Sequence, residues 1–147
     1  MKASEFFIAS EQKSILEAIH SAEHETSGEI RVHIDDECKG DVLDCAAKVF
    51  ARLNMHKTEL RNGVLIYLSI KDKKFAVIGD AGINKVVPNN FWDEVKSTML
   101  FFFKQEQFCK GIIEGVLMTS EQLKTYFPRE TGDVNELSDD ISFGENK

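Results

Sequence analysis

The chain has 147 residues, 42% of them hydrophobic and 29% charged, which predicts one globular domain with a substantial core. Its formal net charge of −7 excludes the basic surface with which proteins bind nucleic acid, and favours cations as partners. The apolar run 99–103 is too short to span a bilayer, and the N-terminus lacks the pattern of a secretory signal peptide. We therefore expect a cytoplasmic protein without a membrane span.

The three cysteines, Cys38, Cys45 and Cys109, form no CxxC pair, and any pairing leaves one of them over. This usage is typical of proteins in a reducing compartment. Cys45 falls in an apolar helical pattern. We therefore expect free thiols, with Cys45 as a small core residue.

The predicted elements alternate between helix and strand. Apolar residues at helical spacing predict a helix before residue 26, and the strict alternation of EIRVHI at 29–34 predicts a strand with one apolar face. Asp41 is placed to cap a second helix. The nearly continuous apolar run 64–70 then predicts a central strand covered on both faces, and 75–78 returns beside it after a tight polar turn.

Three further helices are predicted, a short one that ends before Pro88, a longer one to about residue 107, and a last one over about 108–126. A right-handed crossover followed by a hairpin makes the sheet mixed. The fold class is therefore α/β, a small mixed sheet with helices on both faces, an αβα sandwich of Rossmann-like type. Residues 1–128 form the single domain, and 129–147 form an acidic, partly ordered tail.

The strand directions bring distant polar residues to one edge of the sheet. The end of the third strand meets the beginnings of the first two, which places Asp80 near Glu29, Arg61 and Asn62. The helix that carries Asp93 in its first turn begins close enough to reach the same edge. These residues are the candidate site.

The carboxylates of Glu29 and Asp80 and the amide oxygen of Asn62 suit a hard divalent cation, calcium or magnesium, because such ions take oxygen ligands, and Asp93 is a further candidate. The predicted metal ligands are Glu29, Asn62, Asp80 and Asp93. A plainer alternative treats Asp80 as an ordinary turn residue that pairs with Arg61, or Arg61 as the partner of Glu29.

The assembled segments resemble the TPM-domain family, which includes thylakoid-lumen and bacterial proteins with a proposed phosphatase role. The similar pieces follow the family order over nearly the whole chain: SGEIRV at 27–32, RNGVLIYLS at 61–69, FAVIGDAGI at 75–83, FW at 91–92, FCKGIIEG at 108–115, FP at 127–128 and NEL at 135–137. Asn62, Gly63, Gly79 and Gly82 match the family pattern. Asp80 stands where many members carry an aromatic residue, and the resemblance is to a soluble bacterial-type subgroup.

The resemblance implies an α/β sandwich, divalent-cation binding in some members and acid phosphatase activity in a plant member. The leading hypothesis is a calcium-binding (or magnesium-binding) domain that hydrolyses phosphomonoesters with metal assistance. Asp80 and Glu29 would hold the ion, and Arg61 would stabilise charge on a phosphorylated small molecule, so Asp80 and Arg61 are the predicted catalytic residues. The alternative is a non-enzymatic module that binds a protein partner and contains a structural metal ion.

Overall fold

In the computed structural model, which describes residues 1–129 and 140–144, the apolar segments form a four-stranded sheet. The strands are β1 (Glu29–Asp35), β2 (Gly63–Ser69), β3 (Lys74–Gly79) and β4 (Ser142–Phe143), in the order β3-β2-β1-β4. β2 runs parallel to β1 and antiparallel to β3. The predicted crossover unit and hairpin are therefore confirmed, and the sheet is mixed.

Helices cover both faces of this sheet. They are α1 (Ala3–Phe6), α2 (Ala9–Glu23), α3 (Val42–Arg52), α4 (Ala81–Asn84), α5 (Phe91–Phe103) and α6 (Phe108–Tyr126), with a 3-10 turn at Met55–Lys57. α2, α5 and α6 contribute to the larger core on one face, and α3 and the 3-10 turn pack on the other. The predicted α/β architecture with helices on both faces is confirmed.

The burial pattern follows from side-chain alternation. Ile30, Val32 and Ile34 of β1 point into the larger core and are at most 1% exposed. Every residue of β2 is buried, as a central strand covered on both sides requires. Burial of such side chains is the main favourable contribution to folding, at roughly 25 cal/mol per Å² of apolar surface.

The strand β4 is an addition that the sequence patterns did not predict. It pairs in parallel with the free edge of β1, with His33 opposite Ser142, and the Gly144 amide donates to the Ile34 carbonyl at 2.8 Å. Part of the predicted tail thus completes the sheet. The rest of that tail, 130–139 and 145–147, lies outside the described residues, and the boundary at residue 128 stays a prediction.

The expectation of three free thiols is wrong. Cys38 and Cys45 form a disulfide with their Cα atoms 6.1 Å apart, and Cys109 is the free cysteine of the described residues. Cys45 is therefore half of a cross-link at the start of α3 and not a simple core residue. The cross-link ties the loop after β1 to α3 and restrains the unfolded chain there.

The residues described contain no helix that is both long enough and apolar enough to cross a membrane.

Candidate functional site

The sheet brings the predicted strand ends together. Glu29 is opposite Gly63 in the parallel pair, and Val64 is opposite Gly79 in the hairpin. Two backbone hydrogen bonds continue this alignment, from the Asp80 amide to the Gly63 carbonyl at 2.9 Å and from the Glu29 amide to the Asn62 carbonyl at 3.3 Å. Asp80, Glu29 and Asn62 thus lie at one end of three adjacent strands.

Arg61 and Asp80 form the central contact of this end. The guanidinium Nε donates to Asp80 Oδ2 at 2.6 Å and Nη2 donates to Oδ1 at 2.7 Å, which is the two-point geometry of a strong arginine–carboxylate pair. The Asp80 carboxylate is only 7% exposed, whereas the arginine side chain is 49% exposed. Hydrogen bonding with Asp80 raises the pKa of Arg61 further above its ordinary value. Of the two pairings considered for Arg61, this structure has the one with Asp80.

Asp80 also caps the short helix that follows it. Its Oδ1 accepts from the Ala81 amide at 2.8 Å, and the Gly82 amide donates to the Arg61 carbonyl at 2.7 Å. A Cβ atom on Gly82 would collide with the carbonyl oxygens of Leu60 and Arg61. The glycine is therefore needed because α4 packs directly against the backbone of the loop before β2.

Asn62 carries a buried acceptor atom without a donor. The residue is 1% exposed, and its Nδ2 lies 3.5 Å from the Ser27 hydroxyl, but no donor in the described part of the chain bonds to its Oδ1. The Thr58 hydroxyl, four residues earlier in the same loop, is also buried and unbonded among the described residues. Buried polar atoms nearly always have a partner, so this loop has coordinating capacity that the protein itself does not use.

The other two predicted ligands differ in their placement. Glu29 is 2% exposed at the start of β1, beside Asn62. Asp93 is exposed in the first turn of α5 and lines an open depression of about 440 Å³ with Asn90, Glu94, Ser97, Thr98 and Met118. None of these neighbours is another predicted ligand. The structure thus brings Glu29, Arg61, Asn62 and Asp80 to one end of the sheet, and Asp93 lines this depression.

No group of three or more His, Cys, Asp or Glu side chains within residues 1–129 and 140–144 is arranged to hold a metal ion. An ion at the Asp80 end would therefore need oxygen atoms of other kinds beside the carboxylates. The Asn62 amide oxygen is of this kind, and calcium accepts amide and carbonyl oxygens readily. The donor chemistry fits a hard cation and does not fit zinc, which prefers nitrogen and sulfur.

A second polar cluster, absent from the sequence predictions, lies toward the opposite end of β1. His33 Nε2 is 2.6 Å from Asp35 Oδ1, His33 Nδ1 is 2.8 Å from the Ser142 hydroxyl, and the Tyr67 hydroxyl donates to Asp35 Oδ2 at 2.5 Å. The His33 ring stacks on Tyr67 with ring centroids 5.8 Å apart. The row of serine, histidine and aspartate side chains joins β4 to β1. Since His33 is 1% exposed, a substrate has no access to its ring.

The electrostatics of this cluster are those of a structural hydrogen-bond network. Burial acts to raise the pKa of Asp35, but the hydrogen bonds from His33 and Tyr67 lower it, and the net pKa is below the ordinary value. Burial and the bond to Asp35 raise the pKa of Tyr67. The i, i+2 spacing of His33 and Asp35 on one face of a strand was the available sequence signal, but their partners come from β2 and the tail.

Comparisons with known proteins agree with this fold. The family model described as TPM domain matches residues 1–122. Among solved structures, the chain is similar to the BA42 protein from the psychrophilic bacterium Bizionia argentinensis, with 45% identity, a TM-score of 0.89, and coverage of 97% of this chain and 99% of that one. No curated protein matches the sequence.

Two more distant structures share the fold. The N-terminal domain of a protein from P. gingivalis has 15% identity and a TM-score of 0.69, and the match covers 84% of this chain and 80% of that one. The N-terminal domain of the cg2496 protein from Corynebacterium glutamicum has 9% identity and a TM-score of 0.60, over 89% and 82% of the two chains. The match of the family model over most of the sequence, together with the extended similarity to BA42, shows that the chain belongs to the TPM domain family.

Proposed function

We propose that this TPM domain binds a divalent cation, preferably calcium, at the end of the sheet formed by Glu29, Asn62 and Asp80. The observation that carries the proposal is the Asn62 Oδ1 atom, which is buried and accepts from no donor in the described chain. Asn62 stands between Arg61, whose guanidinium binds Asp80, and Gly63, whose carbonyl accepts from the Asp80 amide. A hard cation satisfies such an acceptor.

Arg61 has a defined part in this proposal. Its guanidinium occupies both oxygens of Asp80, so an arriving cation competes with Arg61 for the carboxylate. The arginine side chain is half exposed and can leave into solvent, where it keeps its charge. Arg61 therefore neutralises the buried carboxylate when no ion is bound.

The test is a calcium titration followed by backbone NMR on the wild-type chain and three variants. Asp80→Asn is expected to weaken calcium binding by at least about tenfold, because it removes the anionic ligand. Arg61→Gln is expected to retain or tighten binding, because the competing cation is gone. Glu121→Gln, an exposed site on α6, is the charge-matched control and should bind as wild type does.

The pattern of chemical shifts decides the location of the site. Shifts around Asn62 and Asp80 that disappear in Asp80→Asn support the proposal. Shifts confined to 35–41 or to the tail would contradict it, as would equal calcium affinity in Asp80→Asn and Glu121→Gln. A response at Asp93 would separately test whether that residue is a ligand.

Phosphomonoester hydrolysis is the proposed chemistry at the same end of the sheet. A bound divalent cation supplies Lewis acidity to a phosphoryl group and lowers the pKa of water. Arg61 contributes a planar, two-point donor that fits phosphate oxygens as well as it fits Asp80. Gly82 lets the start of α4 lie against the Leu60 and Arg61 carbonyls, next to this arginine.

Turnover of p-nitrophenyl phosphate with calcium or magnesium tests the activity directly. We expect turnover that falls at least about tenfold in both Asp80→Asn and Arg61→Gln, because one holds the cation and the other the phosphoryl charge. Both variants should therefore lose turnover, whereas only Asp80→Asn should lose calcium affinity. Calcium binding without any turnover would instead support the alternative, a non-enzymatic module for a protein partner.

A further inference from the structure

A pocket at the other end of the β2–β3 hairpin has no role in the proposed cation site. It has a volume of about 300 Å³ and lies between the hairpin turn and the connection from α5 to α6. Leu68 and Phe75, which line it, pair across the strands far from Gly63 and Gly79. A ligand here would bind independently of the Asp80 end of the sheet.

The floor of the pocket is apolar and well ordered by ring packing. The Phe75 and Phe103 rings meet edge to face with centroids 4.8 Å apart, and Phe103 stacks on Phe108 at 5.3 Å. Leu68, which is 2% exposed, and Leu100, which is 40% exposed, also line the pocket. Preformed pockets with aromatic floors are suited to small molecules with an apolar part.

The rim of the pocket carries an excess of positive charge. Lys73 and Lys104 are both exposed there, and Glu106 is the single acid among the lining residues. None of these three forms an ion pair with any residue that the structure describes. Two unpaired lysines beside an apolar floor contrast with the net charge of −7 of the whole chain, and they select for an anionic group.

We propose that this pocket binds a small amphipathic anion, a carboxylate with a short alkyl or aryl tail. The tail lies on Phe75, Phe103 and Phe108, and the carboxylate lies between Lys73 and Lys104. Glu106 opposes the same anion from the rim. The volume, at the small end of the range for ligand pockets, limits the tail to a single short chain or ring.

Octanoate is the probe, titrated below its micelle concentration and followed by 1H–15N NMR. We expect a dissociation constant of about 1 mM or tighter, as the size of the ligand allows, with shifts at the lining residues. Octanol and octylammonium, which have the same tail without the negative charge, should bind more weakly, and acetate should not bind. Octanoate binding no tighter than octanol binding would overturn the proposal.

Removing a positive or a negative charge at the rim should change the affinity for octanoate in opposite directions. Lys104→Met should weaken octanoate binding about two- to fivefold, and Glu106→Gln should strengthen it by a similar factor. Lys48→Met, an exposed lysine on α3, makes the same charge change outside the pocket and should leave the affinity unchanged. Equal effects of Lys104→Met and Lys48→Met would overturn the proposal, because general charge would then explain the binding. Binding to anionic lipid vesicles without a response to octanoate would overturn it in favour of a membrane surface.

Discussion

Replacing Asp35 with alanine is expected to lower the free energy of unfolding by about 2–4 kcal/mol. The change removes the acceptor of two hydrogen bonds, from the Tyr67 hydroxyl and from His33, both of which are at most 1% exposed. Each buried group that loses its partner costs about 1–3 kcal/mol. The measurement is equilibrium unfolding in urea, compared by the transition midpoint at constant slope.

Two variants in the same network control for this result. Tyr67→Phe removes one hydrogen bond but leaves no buried donor without an acceptor, so a cost of only about 1 kcal/mol is expected. Ser142→Ala removes only the bond to His33 Nδ1, so its free energy of unfolding should fall by less than that of Asp35→Ala. If Asp35→Ala were no more destabilising than these two, the carboxylate would not be the organising group of the network.

The pH dependence of stability provides a second measurement on Asp35. Its pKa is lower in the folded protein than the ordinary value of 3.8, since hydrogen bonds from His33 and Tyr67 outweigh burial. The stability that the ionised carboxylate contributes is therefore complete above about pH 4 and is lost as the pH falls through the folded-state pKa. Asp35→Asn should accordingly show a flatter decline in stability below pH 4 than the wild type. If the free energies of unfolding of the two proteins fell in parallel as the pH was lowered, Asp35 would not be a source of the acid sensitivity.

The regular part of the fold follows from patterns that the sequence displays. The alternation of Ile30, Val32 and Ile34 and the continuous apolar run of β2 determine which strands have one or two covered faces. Handedness of the crossover and the tight hairpin then fix the strand directions. For this reason the meeting of Asp80 with Glu29 and Asn62 could be anticipated without coordinates.

Features that depend on the detailed path of irregular segments, or on very short ones, could not be anticipated. The disulfide of Cys38 and Cys45 requires a loop that brings the two Cα atoms within 6.1 Å, and spacing alone does not reveal this. The two-residue strand β4 is too short to show a period. The choice of Asp80 over Glu29 as the partner of Arg61 is likewise a matter of side-chain geometry at the end of the sheet.

The Asp80 end depends on a close backbone approach, and this makes Gly82 a sensitive position. Gly82→Ala is expected to lower the free energy of unfolding by about 2–3 kcal/mol or more, because a Cβ atom would lie 2.6 Å from the Arg61 carbonyl oxygen and in conflict with that of Leu60. Both obstacles are backbone atoms, which cannot move to another rotamer. Unfolding in urea with the same comparison of midpoints measures the effect.

Gly28→Ala is the matched control, since it is the same substitution beside the same sheet. There the added Cβ meets the terminal carbon atoms of the Leu123 side chain, which can shift, so a smaller loss is expected. The two variants also distinguish an effect on stability from an effect on the proposed calcium site. The Arg61 carbonyl accepts from the Gly82 amide, so Gly82→Ala displaces Arg61 and Asn62 relative to Asp80 and should weaken calcium binding more than Gly28→Ala does. A Gly82→Ala protein with wild-type stability and calcium affinity would show that the packing of α4 on this loop does not position the proposed site.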